Sequence, residues 1–359
     1  TDVERRWQGV AEVLASRGHR VEILCRAYQG QPANEVINGV RYTRRYSFSQ
    51  SKLIVANLLK DFFYASLLLS KIPNTDVLVI NDFWLPYLSS FIPNKKFKVI
   101  ANVARYPKGQ LFLYAKVDKI IVPSEAMKKA IASENLALIN RTVVVPNPIN
   151  TSKFQFQSTA QNKDGEQIIL YVGRIHPEKG IHLLIKAFAG ISQKIPSAKL
   201  HIVGPHLESQ GGGGLQYLNS LKEDARRINV NFLGPIFDID QLAQQYQNAT
   251  VFCYPSVAEK GESFGVAPLE AMSTGLVPIV SNLDCFKSFI KEGSNGYSFD
   301  HRCNSSVENL EDKLLKVLSQ PEIAQEISKN AIKTALKFSY ERVARKYEGI
   351  FSELCGEIA

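Results

Sequence analysis

No uncharged apolar run in the 359 residues approaches the roughly 18 needed to span a bilayer, and the N-terminus carries no signal-peptide pattern. Those two absences set the expectation of a soluble chain in the cytoplasm. The five cysteines (Cys25, Cys253, Cys285, Cys303 and Cys355) are scattered and odd in number, with no CxxC pair. That excludes a cysteine zinc site or a redox pair and suits reduced thiols. There is no GKS or GKT of a P-loop, no GxGxxG of a dinucleotide fold and no nucleic-acid recognition motif. Hydrophobic residues at 45% and charged residues at 21% are near globular averages, so disordered, collagenous and coiled-coil classes are also excluded.

What is present is enough chain for two domains at roughly 150 residues each. Apolar strand-length runs alternate with helix-length amphipathic stretches, the pattern of βαβ units and parallel sheets. In the first half the strands are expected at 21–25, 77–81, 99–102, 119–122 and 142–145. A polar stretch over 155–167 reads as the linker. The alternation restarts at 167–172, 199–203, 230–233, 251–254 and 277–280, with helices at 181–195 and 266–274. A last amphipathic helix over 340–354 presents Val343, Tyr347, Ile350, Phe351 and Leu354 on one side. The domains expected are 1–150, 151–335 and a terminal segment 336–359 that packs back toward the first.

The formal net charge of +9 is one-sided. Residues 1–150 hold 21 Lys and Arg against 11 Asp and Glu, while the rest holds 22 against 23. Such a field attracts anionic lipid, phosphorylated acceptors or nucleic acid, or serves solubility alone. The Leu-, Phe- and Tyr-rich segment 51–72, with Lys52, Lys60 and Lys71, reads either as an interfacial membrane helix or as a core-facing one. Asn57, Lys60 and Asp61 interrupt its apolar character, which favours the core. The glycine run 211–214 is expected to be a mobile surface loop, since a phosphate cradle would need a helix starting directly behind it.

Two segments carry chemistry. Tyr171-Val172-Gly173-Arg174-Ile175-His176-Pro177-Glu178-Lys179-Gly180 runs from strand to helix with two cations and two glycines in one turn. Ligands of parallel α/β sheets bind at strand carboxyl ends, where helix N-termini offer free N–H groups. Arg174 supplies a planar fork and Lys179 a point charge, which together suit a diphosphate. The second segment is Tyr254-Pro255-Ser256 followed by Glu262, Ser263, Phe264, Gly265, Val266 and Glu270. Glu262 falls in the loop before a helix and Glu270 inside it, so the two carboxylates can flank a ligand. The bland reading makes Glu262 a capping acid and Glu270 a solvated helix residue. Asp238-Ile239-Asp240 matches a metal-binding Asp-x-Asp pattern, but reads better as the cap of the helix that follows.

The Gly173-Arg174 to Lys179-Gly180 turn, the Tyr254-Pro255-Ser256 turn and the Glu262, seven residues, Glu270 spacing together resemble glycosyltransferase family 4. Val145-Pro146-Asn147-Pro148-Ile149 looks like that family's interdomain segment, and Asn295-Gly296 agrees as well. The resemblance implies a GT-B fold: two Rossmann-like parallel α/β domains facing a cleft, with a C-terminal helix crossing back to the first. It implies retaining transfer of a sugar from a nucleoside diphosphate sugar, UDP favoured, to a glycan or lipid-linked acceptor. Arg174 and Lys179 would neutralise the leaving diphosphate, Glu262 would bind the donor sugar and Glu270 the ribose. Gly173, Ser263, Phe264, Gly265 and Val266 would line the donor site, and Pro235 and Ile236 would hold the base. No cofactor or divalent metal is expected, because two fixed cations can do a metal ion's work. No nucleic-acid partner is expected; peripheral contact with an anionic membrane, on its cytoplasmic face, is.

Three departures from that family stand out. Its members begin with a hydrophobic strand and a glycine-rich loop, whereas this sequence starts inside the helix that follows them, expected over 3–17. Asn102 stands where the family usually has a histidine near the donor sugar, so it can hydrogen-bond but not titrate near neutrality. Ser281-Asn282-Leu283-Asp284-Cys285 stands where a glycine pair is common. These departures motivate an alternative, a catalytically weak nucleotide-sugar-binding partner subunit.

Overall fold

The computed structural model describes residues 2–48, 53–157 and 166–356. It divides into two compact units, residues 1–148 with 340–359, and residues 149–339. The chain changes unit at Pro148, not in the polar 155–167 stretch expected as linker. Phe154, ahead of that stretch, is fully buried against Tyr246 in the second unit, and residues 158–165 lie outside the described residues.

The first unit opens on α1 (Asp2–Ser16), then β1 (Glu22–Arg26), β2 (Asn34–Ile37) and β3 (Val40–Arg45). Next come α2 (Ile54–Leu69), β4 (Val77–Ile80), α3 (Leu85–Leu88), β5 (Lys98–Asn102), β6 (Lys119–Val122), α4 (Glu125–Glu134) and β7 (Thr142–Val144). Its strands form two sheets, β1-β3-β2 and the all-parallel β4-β5-β6-β7. The parallel sheet is covered on both faces, and strand alternation does the sorting. Ile100 and Ile121 face α1 residues Val10 and Leu14, whereas their neighbours Val99, Ala101, Ile120 and Val122 face Leu111, Met127 and Ile131. The hairpin β2–β3 was not foreseen, because Glu35, Arg41 and Arg44 hide the alternation. Its turn signal was present, since Asn38 and Gly39 both adopt positive φ, 49° and 80°.

The helix expected to face the core does so on one side only. Tyr64, Ala65 and Leu68 of α2 are buried, Asp61 pairs with Arg26 at 2.6 Å, and the Trp84 indole donates to the Leu58 carbonyl at 2.9 Å. The other side exposes Val55, Leu59, Phe63 and Leu67, each more than half accessible and spaced four residues apart. The reading of a purely core-facing helix is therefore corrected.

The second unit begins with β8 (Ile168–Val172), α5 (Ile181–Lys194), β9 (Lys199–Val203), α6 (Gly214–Asp224), β10 (Val230–Gly234) and α7 (Ile239–Gln247). It continues through β11 (Val251–Tyr254), α8 (Val266–Ser273), β12 (Val277–Ser281), β13 (Tyr297–Phe299), α9 (Ser306–Ser319) and α10 (Pro321–Ala335). The sheet is parallel throughout, in the order β10-β9-β8-β11-β12-β13. The last helix, α11 (Tyr340–Cys355), belongs to the first unit, where Val343, Ala344, Tyr347 and Ile350 pack on Val10 and Leu14. Trp7 meets Tyr347 with ring centroids 5.1 Å apart, and Arg17 pairs with Glu348 at 2.7 Å.

Candidate active site at the strand ends of the second unit

From β8 the chain winds outward through β9 and β10 on one side, then returns to place β11 on the other side of β8. The topological switch point therefore lies between β8 and β11, where a parallel sheet opens a crevice at its carboxyl edge. The turns that leave these two strands are the two segments singled out from the sequence.

The β8 turn is a single 3₁₀ turn, Pro177–Lys179, capped by the His176 ring, which accepts from the Glu178 amide at 3.3 Å. Gly180 closes it with φ of +66°, and a Cβ there would lie 2.0 Å from the Pro255 carbonyl oxygen. Only glycine lets the two turns approach so closely. The Val257 amide then donates to the Glu178 carbonyl at 2.8 Å, and the Ser281 hydroxyl donates to the Ser256 carbonyl.

This approach unites the charged residues. Lys179 Nζ lies 2.7 Å from Glu262 Oε2, with both residues under 10% exposed, and 5.5 Å from the Tyr254 ring centroid. Buried charges persist only when paired, and here each supplies the other's partner. Glu262 is therefore not a capping acid; the cap position of α8 is Gly265, at φ +89°. Burial, reinforced by the Glu262 carboxylate, holds the Tyr171 and Tyr254 phenols well above their ordinary pKa. Arg174 stays partly exposed, donating to Glu178 Oε1 at 2.6 Å and to the Gly211 carbonyl at 2.5 Å. Both cations thus have partners within the chain, which the sequence reading did not foresee. The spacing of four between Arg174 and Glu178 is not a helical pairing signal, because Arg174 lies in irregular chain before the 3₁₀ turn that holds Glu178.

Glu270 lies one turn into α8 and accepts from the hydroxyl of fully buried Tyr246 at 3.0 Å, so it is anchored rather than merely solvated. Gly265 and Val266 stand at the start of α8, where backbone N–H groups lack intrahelical partners. Ser263 lies beside Glu262 and is partly accessible. Gly173 follows β8, its amide donating to the Val203 carbonyl at 2.9 Å. Pro235 and Ile236 follow β10 at the same sheet edge, tied to β9 by the Gly204 amide donating to the Gly234 carbonyl at 2.9 Å.

Other expectations change. Phe264 is 1% exposed as a whole residue and its ring packs on Phe289 and Phe338, so it supports the loop from the core rather than lining the donor site. The glycine run is not a loose loop. Its Gly213 amide donates to the Ile175 carbonyl and its Gly214 amide to the His206 carbonyl, each at 2.8 Å, and α6 starts directly at Gly214. Asp238 caps α7, accepting from the Asp240 and Gln241 amides, while Asp240 pairs with Lys153 at 2.7 Å. Asn102 belongs to the first unit, where its amide donates to Asn81 Oδ1 at 2.6 Å; the Trp7 indole donates to the same oxygen at 2.8 Å.

Known proteins carry the same two halves. Residues 152–334 match the family described as Glycosyl transferases group 1, and residues 3–153 match Glycosyltransferase Family 4. A lipopolysaccharide 1,2-N-acetylglucosaminetransferase of Salmonella typhimurium is 28% identical over 64% of this chain and 61% of its own length. A phosphatidyl-myo-inositol mannosyltransferase of Mycobacterium tuberculosis is 26% identical over 80% of this chain and 76% of its own. Among solved structures, sucrose-phosphate synthase of Thermosynechococcus elongatus superposes with a TM-score of 0.79 at 20% identity, covering 97% of this chain and 92% of that one. Anabaena HepE, in complex with UDP and glucose, gives 0.74 at 15% identity, covering 97% and 95%. The chain belongs to the glycosyl transferases group 1 family and has the GT-B fold.

Proposed function

We propose that the chain is a retaining hexosyltransferase that moves a sugar from a nucleoside diphosphate sugar, UDP the favoured carrier, to a glycan or lipid-linked acceptor. The observation that carries this reading is the convergence of Arg174, Lys179, Glu262 and Glu270 at the switch point of one parallel sheet. Cleaving the sugar–phosphate bond builds negative charge on the leaving diphosphate. Cations fixed at that point stabilise the transition state more than the ground state. Arg174 and Lys179 fill that role, with the Gly265 and Val266 amides beside them, and in this reading no divalent metal or other cofactor is needed. Glu262 gives up part of its contact with Lys179 to accept from the sugar hydroxyls. Glu270, steadied by Tyr246, accepts from the ribose, and the turn at Pro235 and Ile236 holds the base.

The acceptor side belongs to the basic first unit. Peripheral contact with an anionic membrane, on its cytoplasmic face, is supported by the exposed apolar side of α2 beside Lys60. The helix is not itself a span, because no described helix is long and apolar enough to cross a bilayer.

Thermal unfolding against UDP, GDP and ADP sugars identifies the carrier, since a ligand that binds the folded state raises its apparent stability. With that donor, Glu262→Ala is expected to lower sugar transfer by about a hundredfold while leaving nucleotide affinity close to wild type. Parallel loss of both contradicts the assignment of Glu262 to the sugar. The hydrogen bond that engages Asn102 with Asn81, in place of a titratable histidine, favours the second reading of a catalytically weak nucleotide-sugar-binding partner subunit. Donor binding with neither transfer nor slow hydrolysis for every donor would select it.

A further inference from the structure

Resting on the donor-site reading above, a role emerges for a residue that reading leaves unused. Arg174 is held on two sides, by Glu178 Oε1 at 2.6 Å and by the Gly211 carbonyl at 2.5 Å. The two holders differ in kind. Gly211 offers a neutral backbone oxygen fixed by its loop. Glu178 offers a charge on a side chain that is 31% exposed and able to swing. Its backbone cannot follow, because the Glu178 carbonyl accepts from the Val257 amide at 2.8 Å and the Ser256 hydroxyl at 3.3 Å. The carboxylate also borders the loop that carries Glu262, since a Cβ on Gly261 would lie 3.4 Å from Glu178 Oε2. A further titratable neighbour is His176, whose Nδ1 lies 3.8 Å from that same oxygen.

A guanidinium has five N–H donors, so Gly211 can keep its bond while the rest of the fork changes partners. A diphosphate reaching Arg174 either takes the place of the Glu178 carboxylate or lies beside it as a second anion. We propose that Glu178 is a stand-in anion, a positioning residue that holds Arg174 extended toward the donor site and yields it to the incoming diphosphate. The consequence runs opposite to that of an ordinary supporting residue. Removing the Glu178 charge removes a competitor for Arg174 and a repulsion toward phosphate, so diphosphate binding tightens.

The test is titration calorimetry at low salt with whichever of UDP, GDP and ADP the wild-type chain binds most tightly, alongside its uncharged nucleoside. Glu178→Gln is expected to bind the diphosphate about fivefold more tightly, with the gain shrinking at high salt and the nucleoside unaffected. In an Arg174→Gln background the gain disappears, because the competition has no object. Glu178→Ala gives the same sign, so a folding defect peculiar to one variant does not decide the matter. Diphosphate binding that is unchanged or weaker in Glu178→Gln and Glu178→Ala overturns the proposal while leaving the donor site in place. An Arg174→Gln chain that binds the diphosphate as wild type does, or a wild-type chain that binds none of the three, overturns the donor reading and the proposal with it.

Discussion

Lys179 and Glu262 form a buried ion pair at the heart of the candidate site. Both are under 10% exposed, and their 2.7 Å contact joins the turn after β8 to the loop after β11. Replacing Lys179 by Met leaves the Glu262 carboxylate buried without its cation. Urea unfolding of the unliganded variant is expected to show a loss of about 3 kcal/mol, partly restored when Glu262→Gln is added. A single variant as stable as wild type would mean the pair is open to water. At this scale the sequence singled out the charges and glycines of two turns that the fold brings together, because such residues cannot be placed in a strand-to-helix turn without consequence. It did not show their partners. That Lys179 answers Glu262 across 83 positions depends on how close two loops come, and the anchoring of Glu270 by Tyr246 depends on a hydrogen bond between residues 24 positions apart on different helices. Phe264 shows the same limit, since whether an aromatic beside a site points into it or into the core is decided by neighbours far along the chain.

Elements were legible where their apolar pattern was strong. The buried parallel strands, such as Lys119–Val122 and Val251–Tyr254, read as short continuous apolar runs and form where expected. The hairpin β2–β3 and the three-residue β13 did not, because polar residues or brevity dilute the signal. Contact between elements sets two expectations. Gly180→Ala forces a side chain into positive φ and onto the Pro255 carbonyl, at a cost of about 2 to 4 kcal/mol in stability. Gly349→Ala, in open space on α11, is expected to gain about 0.5 to 1 kcal/mol, so chemical denaturation of the two variants separates a turn requirement from mere helix propensity. For α2, flotation with vesicles is expected to recover the chain with anionic but not with neutral lipid. Phe63→Glu would abolish that recovery, because it sets a carboxylate in the middle of the exposed apolar row. Equal recovery of wild type and variant would remove α2 from the contact.

Across the whole molecule, the division of labour follows the distribution of charge and of motifs. The surplus of cations falls in residues 1–150, while the turn with Arg174 and Lys179, the two glutamates Glu262 and Glu270, and the turn after β10 all lie in the second unit. That unit's single parallel sheet, reversing its winding direction at β8, brings them to one edge. The point at which the chain changes unit was less legible. Composition favoured the polar stretch after Gln155, whereas Ile149 already hydrogen-bonds to the Phe338 carbonyl and Phe154 is buried in the second core. The most direct test of the donor site is a crystal structure of the chain soaked with its nucleoside diphosphate. The account predicts phosphate oxygens within hydrogen-bonding distance of Arg174 and Lys179, and the ribose against Glu270. A diphosphate seated away from both cations, with the Lys179–Glu262 and Arg174–Glu178 pairs untouched, would contradict it.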